Sequence, residues 1–385
     1  MINRVILLVI DGFGVGALPD AAEYGDAEAD TLVHLADAVG GLSLPNLEAL
    51  GLGHVARIKG VRTMAQPDGC FGRLGFASQG KDSVVGYWET SGVIVRDGGA
   101  KYASGVPADV VAVIEQMLGR KLIGNRMASM TVMLQEYGAE HVSSGAPILW
   151  TDGGNTCYLA AHESAMPPAD FQQRCREARK AVKGAGAPIR IVAQPVTGEA
   201  GSFRPHAGRK DFVSEPPGLT MLDVLNRSSH ITMGIGKVYD LFSGRGLTRA
   251  FPAASAIAAF DETVGMMNKV PRGLLYVSLD LLPEDTTQAA TALQEFDRRL
   301  PDLFDKLRIG DLVMITGDHG RDVSRPGKTP TREYVPVLVT GPKLAQGVDL
   351  GTRVTAADLG QTIVDALRAE RLPLGDSFFE ALRPG

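Results

Sequence analysis

Continuous apolar runs of strand length alternate with helical patterns at both ends of this 385-residue chain. Residues 3–10 are predicted to be a strand, and positions 5–10 within it are apolar without interruption, which is typical of a central parallel strand buried on both faces. Helices are predicted from Thr31 and from Pro45, and residues 71–90 are expected to be mostly loop. Further along, the pattern predicts strands at 231–235, 273–279, 311–316 and 335–340, and helices at 219–227, 252–268, 286–307 and 356–369. Such alternation predicts an α/β fold with a mostly parallel sheet.

The middle of the chain changes character. Helical patterns at 107–119 and 168–183 alternate there with short strands at 147–150 and 188–193. Glycine- and proline-rich stretches bracket this block at 96–99 and 215–218, as linkers between compact domains often do. We therefore predict a core domain in two parts, 1–98 and 217–385, with a smaller α/β domain, 99–216, inserted between them.

Composition narrows the classes of function. The chain is 44 % hydrophobic and 22 % charged, with a net charge of −5, which argues against a general nucleic-acid binder. Its first apolar run is too short to span a bilayer, so no membrane partner is expected. The three cysteines lack Cys-x-x-Cys spacing and fit reduced thiols. These features predict a cytoplasmic protein that acts on a small molecule, and they leave its oligomeric state open.

Carboxylates and one imidazole follow the predicted core strands. Asp11 ends the first strand, Asp280 follows 273–279, and Asp318 and His319 follow 311–316. In an open α/β sheet that edge is where ligands bind, and this donor set suits a divalent cation such as Mn²⁺, Mg²⁺ or Zn²⁺. Each aspartate taken alone fits a turn or capping role better, whereas the set together favours a metal site.

A serine stands within reach of this chemistry. Ser83 closes the loop Gly80-Lys81-Asp82-Ser83, and a bound metal would lower the pKa of its hydroxyl and make it a nucleophile. The alternative is a loop or capping serine, which is the usual role in such a loop.

Several cations are candidate phosphate contacts. Arg190 and Arg204 offer planar guanidinium groups, and Lys237 offers a point charge. Lys237 follows Gly234-Ile235-Gly236 at a predicted strand end, where backbone amides also favour anions. Arg209, beside Lys210, fits a solvated surface charge better.

These residues and motifs together resemble the phosphopentomutases of the alkaline phosphatase superfamily. The resemblance runs nearly from end to end. Its motifs include Asp11-Gly12-Phe13-Gly14-Val15-Gly16, Gly80-Lys81-Asp82-Ser83, Asp318-His319-Gly320 and Thr331-Arg332-Glu333-Tyr334-Val335-Pro336. It implies an alkaline-phosphatase-like core with an inserted cap domain. It also implies a phosphorylated nucleophile beside two Mn²⁺ ions, and interconversion of (deoxy)ribose 1-phosphate and 5-phosphate through a bisphosphate.

Carried over by position, the resemblance assigns roles to individual residues. Ser83 stands where the family has its nucleophilic threonine. Asp11, Asp318 and His319 stand at the ligands of one metal, and Asp280 stands at a ligand of the other. Arg190 and Lys237 stand at sugar-phosphate contacts, and Arg204 is retained as a further phosphate contact.

The chain departs from the family at the second metal. Asp285 and Pro330 stand where the family has histidines, and Tyr87 replaces the histidine after the nucleophile. A second site rebuilt on Asp280 and Asp285 would be oxygen-only and suited to Mg²⁺. The alternative is a one-metal enzyme, in which the hypothesis gives the missing positive charge to Lys328 or Arg332.

The insert departs as well. Gly154 occupies the place of a sugar-contacting aspartate, and Asp152 or Asn155 is expected to replace it. We therefore predict a phosphopentomutase-like phosphotransferase, isomerase in class, that uses phospho-Ser83. The alternatives are a one-metal phosphatase or phosphotransferase for a specialised sugar phosphate and, less favoured, a non-catalytic phosphosugar-binding protein, since substrate choice depends on the site rather than the fold.

Overall fold

A computed structural model describes residues 1–97, 100–184, 186–199, 202–206, 208–324 and 329–384. The strands among them are β1 Arg4–Ile10, β2 Cys70–Leu74, β3 Ile123–Met127, β4 Ile148–Thr151, β5 Thr156–His162, β6 Arg190–Thr197, β7 Arg204–Pro205, β8 Lys210–Val213, β9 Thr232–Ile235, β10 Arg249–Phe251, β11 Gly273–Leu279, β12 Asp311–Gly317, β13 Val335–Thr340 and β14 Asp349–Arg353. The α-helices are α1 Thr31–Val39, α2 Pro45–Ala49, α3 Leu52–Val55, α4 Ser83–Thr90, α5 Ala108–Leu118, α6 Met130–Ser144, α7 Pro168–Ala181, α8 Met221–Arg227, α9 Val238–Leu241, α10 Ala256–Met266, α11 Thr286–Phe304 and α12 Ala357–Ala366.

The chain folds as two compact units. The larger is Met1–Arg96 with Pro216–Gly385, and the smaller is Asp97–Glu215. The predicted boundaries lie within two residues of these limits. That the smaller unit acts as a cap stays a prediction. Along the described parts of the chain, no helix combines the length and apolar character needed to cross a membrane.

The larger unit contains an eight-stranded sheet in the order β10-β9-β11-β1-β12-β13-β2-β14. Within it, the pairings of β13 with β12 and with β2 are antiparallel, and the other pairings are parallel. The predicted α/β class with a mostly parallel sheet is therefore confirmed. The predicted core strands and helices are also found, with ends that differ by a few residues.

The centre of this sheet places the candidate ligands together. Every residue of β1, β11 and β12 is buried, as their continuous apolar sequences predict. The last residue of β1, Ile10, lies opposite Leu279 of β11 and Gly317 of β12. The residues that follow these three strands therefore leave the sheet side by side at its carboxyl edge.

The expectation of mostly loop at 71–90 was wrong. Residues Cys70–Leu74 pair with β13 and β14, and Ser83–Thr90 form helix α4. Seven of the eight helix residues, Val84 to Thr90, are buried. A helix that is buried all round shows no amphipathic period, so the sequence pattern could not reveal it.

The smaller unit is an α/β sandwich of its own. Strands β3 to β7 form its sheet, with β8 added beside β6. Side chains alternate across β4, so that Leu149 joins a core with α5 and α7, while Ile148 and Trp150 join a second core with α6. The period-two alternation of a strand thus gives each face of this sheet its own apolar cluster.

Candidate active site

Two neighbouring strands deliver a cluster of metal-ligand type. Asp11 follows β1, and Asp318 and His319 follow β12. One potential ligand atom from each of the three lies within 4.8 Å of the others. The Nε2 atom of His319 is 3.5 Å from Oδ2 of Asp318 and 3.8 Å from Oδ1 of Asp11. All three side chains are buried. Their donor atoms therefore lie close together in a place that is shielded from water.

His319 is oriented as a metal ligand. Its Nδ1 lies 2.7 Å from the carbonyl oxygen of Gly320. Because a carbonyl oxygen can only accept, Nδ1 carries a proton, and Nε2 is the ring nitrogen that faces the two carboxylates and could bind a metal. Metal-binding histidines are commonly held by this kind of hydrogen bond on the other ring nitrogen.

Asp318 has one oxygen satisfied and one oxygen available. Its Oδ1 accepts the backbone amide of Gly12 at 3.0 Å. Its Oδ2 is buried and has no hydrogen-bond partner among the described residues. Burial raises the pKa of this carboxyl group, which His319 opposes and Asp11 reinforces. A buried, unsatisfied carboxylate oxygen is costly, and a divalent cation would satisfy it. The residues of this first site therefore fit the metal that the family implies.

Ser83 lies at this cluster. It is the first residue of α4, and the side chain of Asp82 caps the helix by accepting the amides of Val84 and Val85. The Ser83 Oγ is 3.1 Å from Nε2 of His319 and 3.4 Å from Oδ2 of Asp11. The N-terminal end of a helix favours negative charge, so this position suits a phosphoryl group on the serine.

A glycine lets α4 approach the strand end. A Cβ atom at Gly86 would lie 2.0 Å from the carbonyl oxygen of Asp318. A side chain at 86 would therefore require the helix or the strand end to shift, and we expect such a shift to disturb the contact between Ser83 and His319.

Beside this first half of the site lies a second half, which is formed by ion pairs. Lys237 follows β9 and Asp280 follows β11, and their side chains meet at 2.8 Å. The ammonium group of Lys237 is also 3.5 Å from Oδ2 of Asp11. Arg321 donates to Oδ1 of Asp11 at 2.8 Å and to the carbonyl oxygen of Leu282 at 3.0 Å. The sequence interpretation did not name Arg321, although it follows the Asp-His-Gly motif directly.

These cations control the charge of Asp11. Burial by itself would raise the pKa of Asp11, but Lys237, His319 and Arg321 outweigh it and hold the pKa at about 2. The pKa of Lys237 is raised in turn, because Asp11 and Asp280 outweigh the burial that lowers it. Asp11 is therefore a permanent anion shared by both halves of the site.

The second metal set that the sequence proposed is not brought together. Asp285 is the N-cap of α11 and accepts the amide of Gln288 at 2.8 Å, and it is outside the ligand cluster found among the described residues. Asp280 pairs with Lys237 instead. Proline at 330 has no donor atom, and Tyr87 is buried against Tyr276. The described residues thus fit one metal and do not fit a second.

Lys328 and Arg332 were the two residues suggested to supply the positive charge of a missing second metal. Arg332 is a structural residue: it binds Asp20 at 2.8 Å and donates to the carbonyl oxygens of Phe76, Ser78 and Gly80. Its side chain is only 4 % exposed, so that suggestion is corrected. Lys328 lies outside the described residues.

Glu333 ties the loop after β1 to the turn after β12. It accepts the amides of Gly16 and Thr31 at 3.2 and 2.9 Å, and the Thr31 hydroxyl at 2.7 Å. The hydroxyl of Thr331 also donates to it. Burial raises the pKa of Glu333 while these donors lower it. This carboxylate is fully engaged by protein groups and has a structural role.

The other predicted substrate contacts lie in the smaller unit. Arg190 opens β6 and pairs with Asp211 at 3.3 Å, and Arg204 lies exposed in the short strand β7. Asp152 accepts from the Tyr158 hydroxyl at 2.9 Å and from the Gly154 amide at 3.0 Å. Asn155 lies nearby and accepts the amide of Ile189 through its backbone carbonyl. Their role in substrate binding stays a prediction.

Comparisons with known proteins agree on one family. Residues 252–371 match the model of the Metalloenzyme superfamily. A phosphopentomutase of Alkaliphilus metalliredigens is 37 % identical over 98 % of both chains. One from Clostridium novyi is 38 % identical over 99 % of this chain and 100 % of that protein. Another, from Carboxydothermus hydrogenoformans, is 39 % identical over the same shares.

Proposed function

This chain belongs to the phosphopentomutase family of metal-dependent phosphosugar mutases, and we propose that its substrates are the 1- and 5-phosphates of ribose and deoxyribose. The observation that carries the proposal is the position of Ser83. Its hydroxyl lies at a helix N-terminus, 3.1 Å from Nε2 of His319 and 3.4 Å from Oδ2 of Asp11. A nucleophile in that environment suits transfer of a phosphoryl group.

The proposed reaction begins with Ser83 phosphorylated. The bond between phosphorus and Ser83 Oγ breaks while a sugar hydroxyl forms a new bond to phosphorus, and the proton of that hydroxyl ends on Ser83 Oγ. The sugar bisphosphate then turns around. Its other phosphoryl group moves to Ser83 Oγ, and the serine proton returns to the sugar oxygen. Atoms and charge balance, and Ser83 ends phosphorylated as it began.

Asp11, Asp318 and His319 would hold the metal. A bound divalent ion supplies Lewis acidity, which spreads the charge of the transferring group and stabilises the serine alkoxide. Mn²⁺ fits this donor set better than Mg²⁺, because Mg²⁺ prefers oxygen ligands and His319 offers nitrogen. The protein groups orient Ser83 through His319 and Asp82, and the helix dipole favours the phosphoserine.

Further substrate contacts are proposed on charge and position. Lys237 is half-exposed at the same sheet edge as Ser83, so it can meet a phosphate while it stays paired with Asp280. In the smaller unit the proposed contacts are Arg190, Arg204, Asp152 and Asn155.

A cytoplasmic location is also proposed. The three cysteines are free and buried, which supports a location in which thiols stay reduced.

One observation favours a second candidate. Lys237 and Arg321 lie within 4 Å of Asp280, which the resemblance places at the second metal, so the site also fits a one-metal phosphatase or phosphotransferase acting on a specialised sugar phosphate. The two candidates differ in the acceptor. A mutase needs a bisphosphate to phosphorylate Ser83 and releases no inorganic phosphate, whereas a phosphatase releases phosphate without an activator.

The test compares Ser83→Ala with Ser83→Thr. Ribose 5-phosphate formation from ribose 1-phosphate is measured with glucose 1,6-bisphosphate present, together with inorganic phosphate release. We expect interconversion in the native chain, loss of it in Ser83→Ala, and retention in Ser83→Thr, which keeps the hydroxyl. Intact mass after incubation with the bisphosphate should show one added phosphoryl group except in Ser83→Ala. Interconversion that survives in Ser83→Ala would overturn the proposal.

A further inference from the structure

The second half of the site contains two side-chain cations between two carboxylates. Arg321 lies 2.8 Å from Oδ1 of Asp11 and 3.9 Å from Oδ1 of Asp280. Lys237 lies 3.5 Å from Oδ2 of Asp11 and 2.8 Å from Oδ2 of Asp280. Both aspartates are thus bridged twice by positive charge. Of these two carboxylates, Asp280 is the one that the resemblance places at the second divalent ion.

We propose that the side chains of Arg321 and Lys237 supply the positive charge that a second metal ion would otherwise supply in this active site. The chain then binds a single metal ion. The inference rests on the proposed phosphoryl transfer at Ser83 and adds to it two residues with a stated role.

Charge and ligand chemistry both exclude a second ion. A divalent cation placed between Asp11 and Asp280 would meet a guanidinium and an ammonium group within a few ångströms, and like charges at that distance repel strongly. The chain has seven histidines, and His319 is the only one after His230. His319 already belongs to the first site, and Asp285 caps α11. No imidazole from this part of the sequence is left for a second ion.

The two cations differ in how firmly they are held. The Arg321 side chain is 22 % exposed and is fixed by Asp11 and the carbonyl oxygen of Leu282. Lys237 is 49 % exposed and is held by the carboxylates of Asp11 and Asp280. Arg321 therefore supplies a stationary charge beside the nucleophile, and Lys237 supplies one that can follow a phosphate. Preorganised positive charge of this kind stabilises the transferring phosphoryl group.

The first experiment counts ions without substrate. The native chain is loaded with excess Mn²⁺, desalted and measured by plasma mass spectrometry, and Mn²⁺ titration calorimetry gives the stoichiometry independently. We expect one Mn²⁺ per chain. Two ions, or none, would overturn the inference. This measurement does not depend on which sugar phosphate is the substrate, so its result stands even if the proposed interconversion is absent.

The second experiment separates charge from structure by removing Arg321. In Arg321→Ala we expect phosphoryl transfer to fall by about 100-fold or more, with one Mn²⁺ still bound. Arg321→Lys should recover part of the loss, and guanidinium ion in the assay should partly rescue Arg321→Ala. The matched control is Arg272→Ala, which removes an exposed arginine. This variant should keep native turnover.

Each other outcome counts against the proposal. Native turnover in Arg321→Ala would show that its charge is not used. Loss of the bound Mn²⁺ in that variant, or loss of turnover that neither lysine nor guanidinium ion restores, would assign Arg321 a purely structural role.

Discussion

The two halves of the site both have aspartates at strand ends, but these aspartates have different neighbours. After β1 and β12, the carboxylates of Asp11 and Asp318 lie around Nε2 of His319, and one buried oxygen of Asp318 has no hydrogen-bond partner among the described residues. After β9 and β11, Lys237 and Asp280 neutralise each other at 2.8 Å. The first half brings three ligand-type side chains together, and the second half is an ion pair.

This difference shows that an aspartate at a strand end does not by itself specify a metal. Asp318 and Asp280 differ in the groups around them. Asp318 faces His319 and keeps one buried oxygen without a hydrogen-bond partner among the described residues, whereas Asp280 has a lysine and an arginine within 4 Å. Both are aspartates at the same edge of the sheet, and only one is positioned to be a ligand.

The first prediction concerns the same substitution, aspartate to asparagine, made in each half of the site. Asp318→Asn should weaken Mn²⁺ binding by more than about 100-fold and abolish turnover, because it removes a ligand oxygen's charge from a buried site. Asp280→Asn should leave Mn²⁺ affinity nearly unchanged, because Asp280 binds side-chain cations. Titration calorimetry with Mn²⁺ measures both. Equal losses in the two variants would mean that both halves bind metal.

A second prediction concerns the close approach that positions Ser83. Gly86→Ala places a methyl group 2.0 Å from the Asp318 carbonyl oxygen. Overpacking of this kind costs about 1–3 kcal/mol, and it should also reduce turnover strongly by moving Ser83. Gly265→Ala in α10 is the matched control, since a Cβ there meets nothing within 4 Å, and should stabilise by up to about 1 kcal/mol. Urea unfolding and turnover are measured for both. Native turnover in Gly86→Ala would contradict the role given to this contact.

A third prediction tests the reassignment of Asp285. Asp285→Ala removes the N-cap of α11 and should lower the free energy of unfolding by about 1 kcal/mol, with Mn²⁺ stoichiometry unchanged. Asp285→Asn keeps a capping oxygen and should lose less. If Asp285→Ala instead reduced the number of bound ions, the residue would be a ligand after all.

The smallest predicted effect depends on pH. Nδ1 of His34 lies 2.6 Å from Oδ2 of Asp322. Partial burial lowers the pKa of His34, but the hydrogen bond and charge of Asp322 outweigh it, so the pKa is raised. The pair therefore stabilises fully below the unfolded pKa of about 6.5, and its contribution is lost as pH rises through the folded pKa. His34→Gln should destabilise more at about pH 5.5 than at about pH 8.5. Urea midpoints measure this, and an equal loss at both values would show that the pair is neutral.

Much of the first half could be predicted from the sequence, because its information is local. Unbroken apolar runs marked β1 and β12, and parallel neighbours end at one edge of the sheet. The aspartates and histidine that follow those runs could then be placed together without any knowledge of side-chain directions.

The second half could not be predicted in the same way. Arg321 reaches Asp11 across 310 residues of sequence, and nothing local to Arg321 indicates that contact. The spacing that made Asp285 a candidate ligand says nothing of its capping bond to Gln288. Arg332 was proposed because an arginine can supply positive charge to phosphoryl transfer, yet it is buried among Asp20 and three carbonyl oxygens. Which cation pairs with which anion depends on tertiary contacts.

Glu333 has a consequence for how quickly the ion can exchange. Its bonds to Gly16, Thr31 and Thr331 involve protein groups alone, so the loop that carries Asp11 and the turn that carries His319 are braced before any metal arrives. Metal binding to such a rigid cradle requires little refolding. The rate of ion exchange should therefore be set by loss of the ion's hydration water. A chelator should remove the metal, and added Mn²⁺ should restore it, without unfolding of the chain.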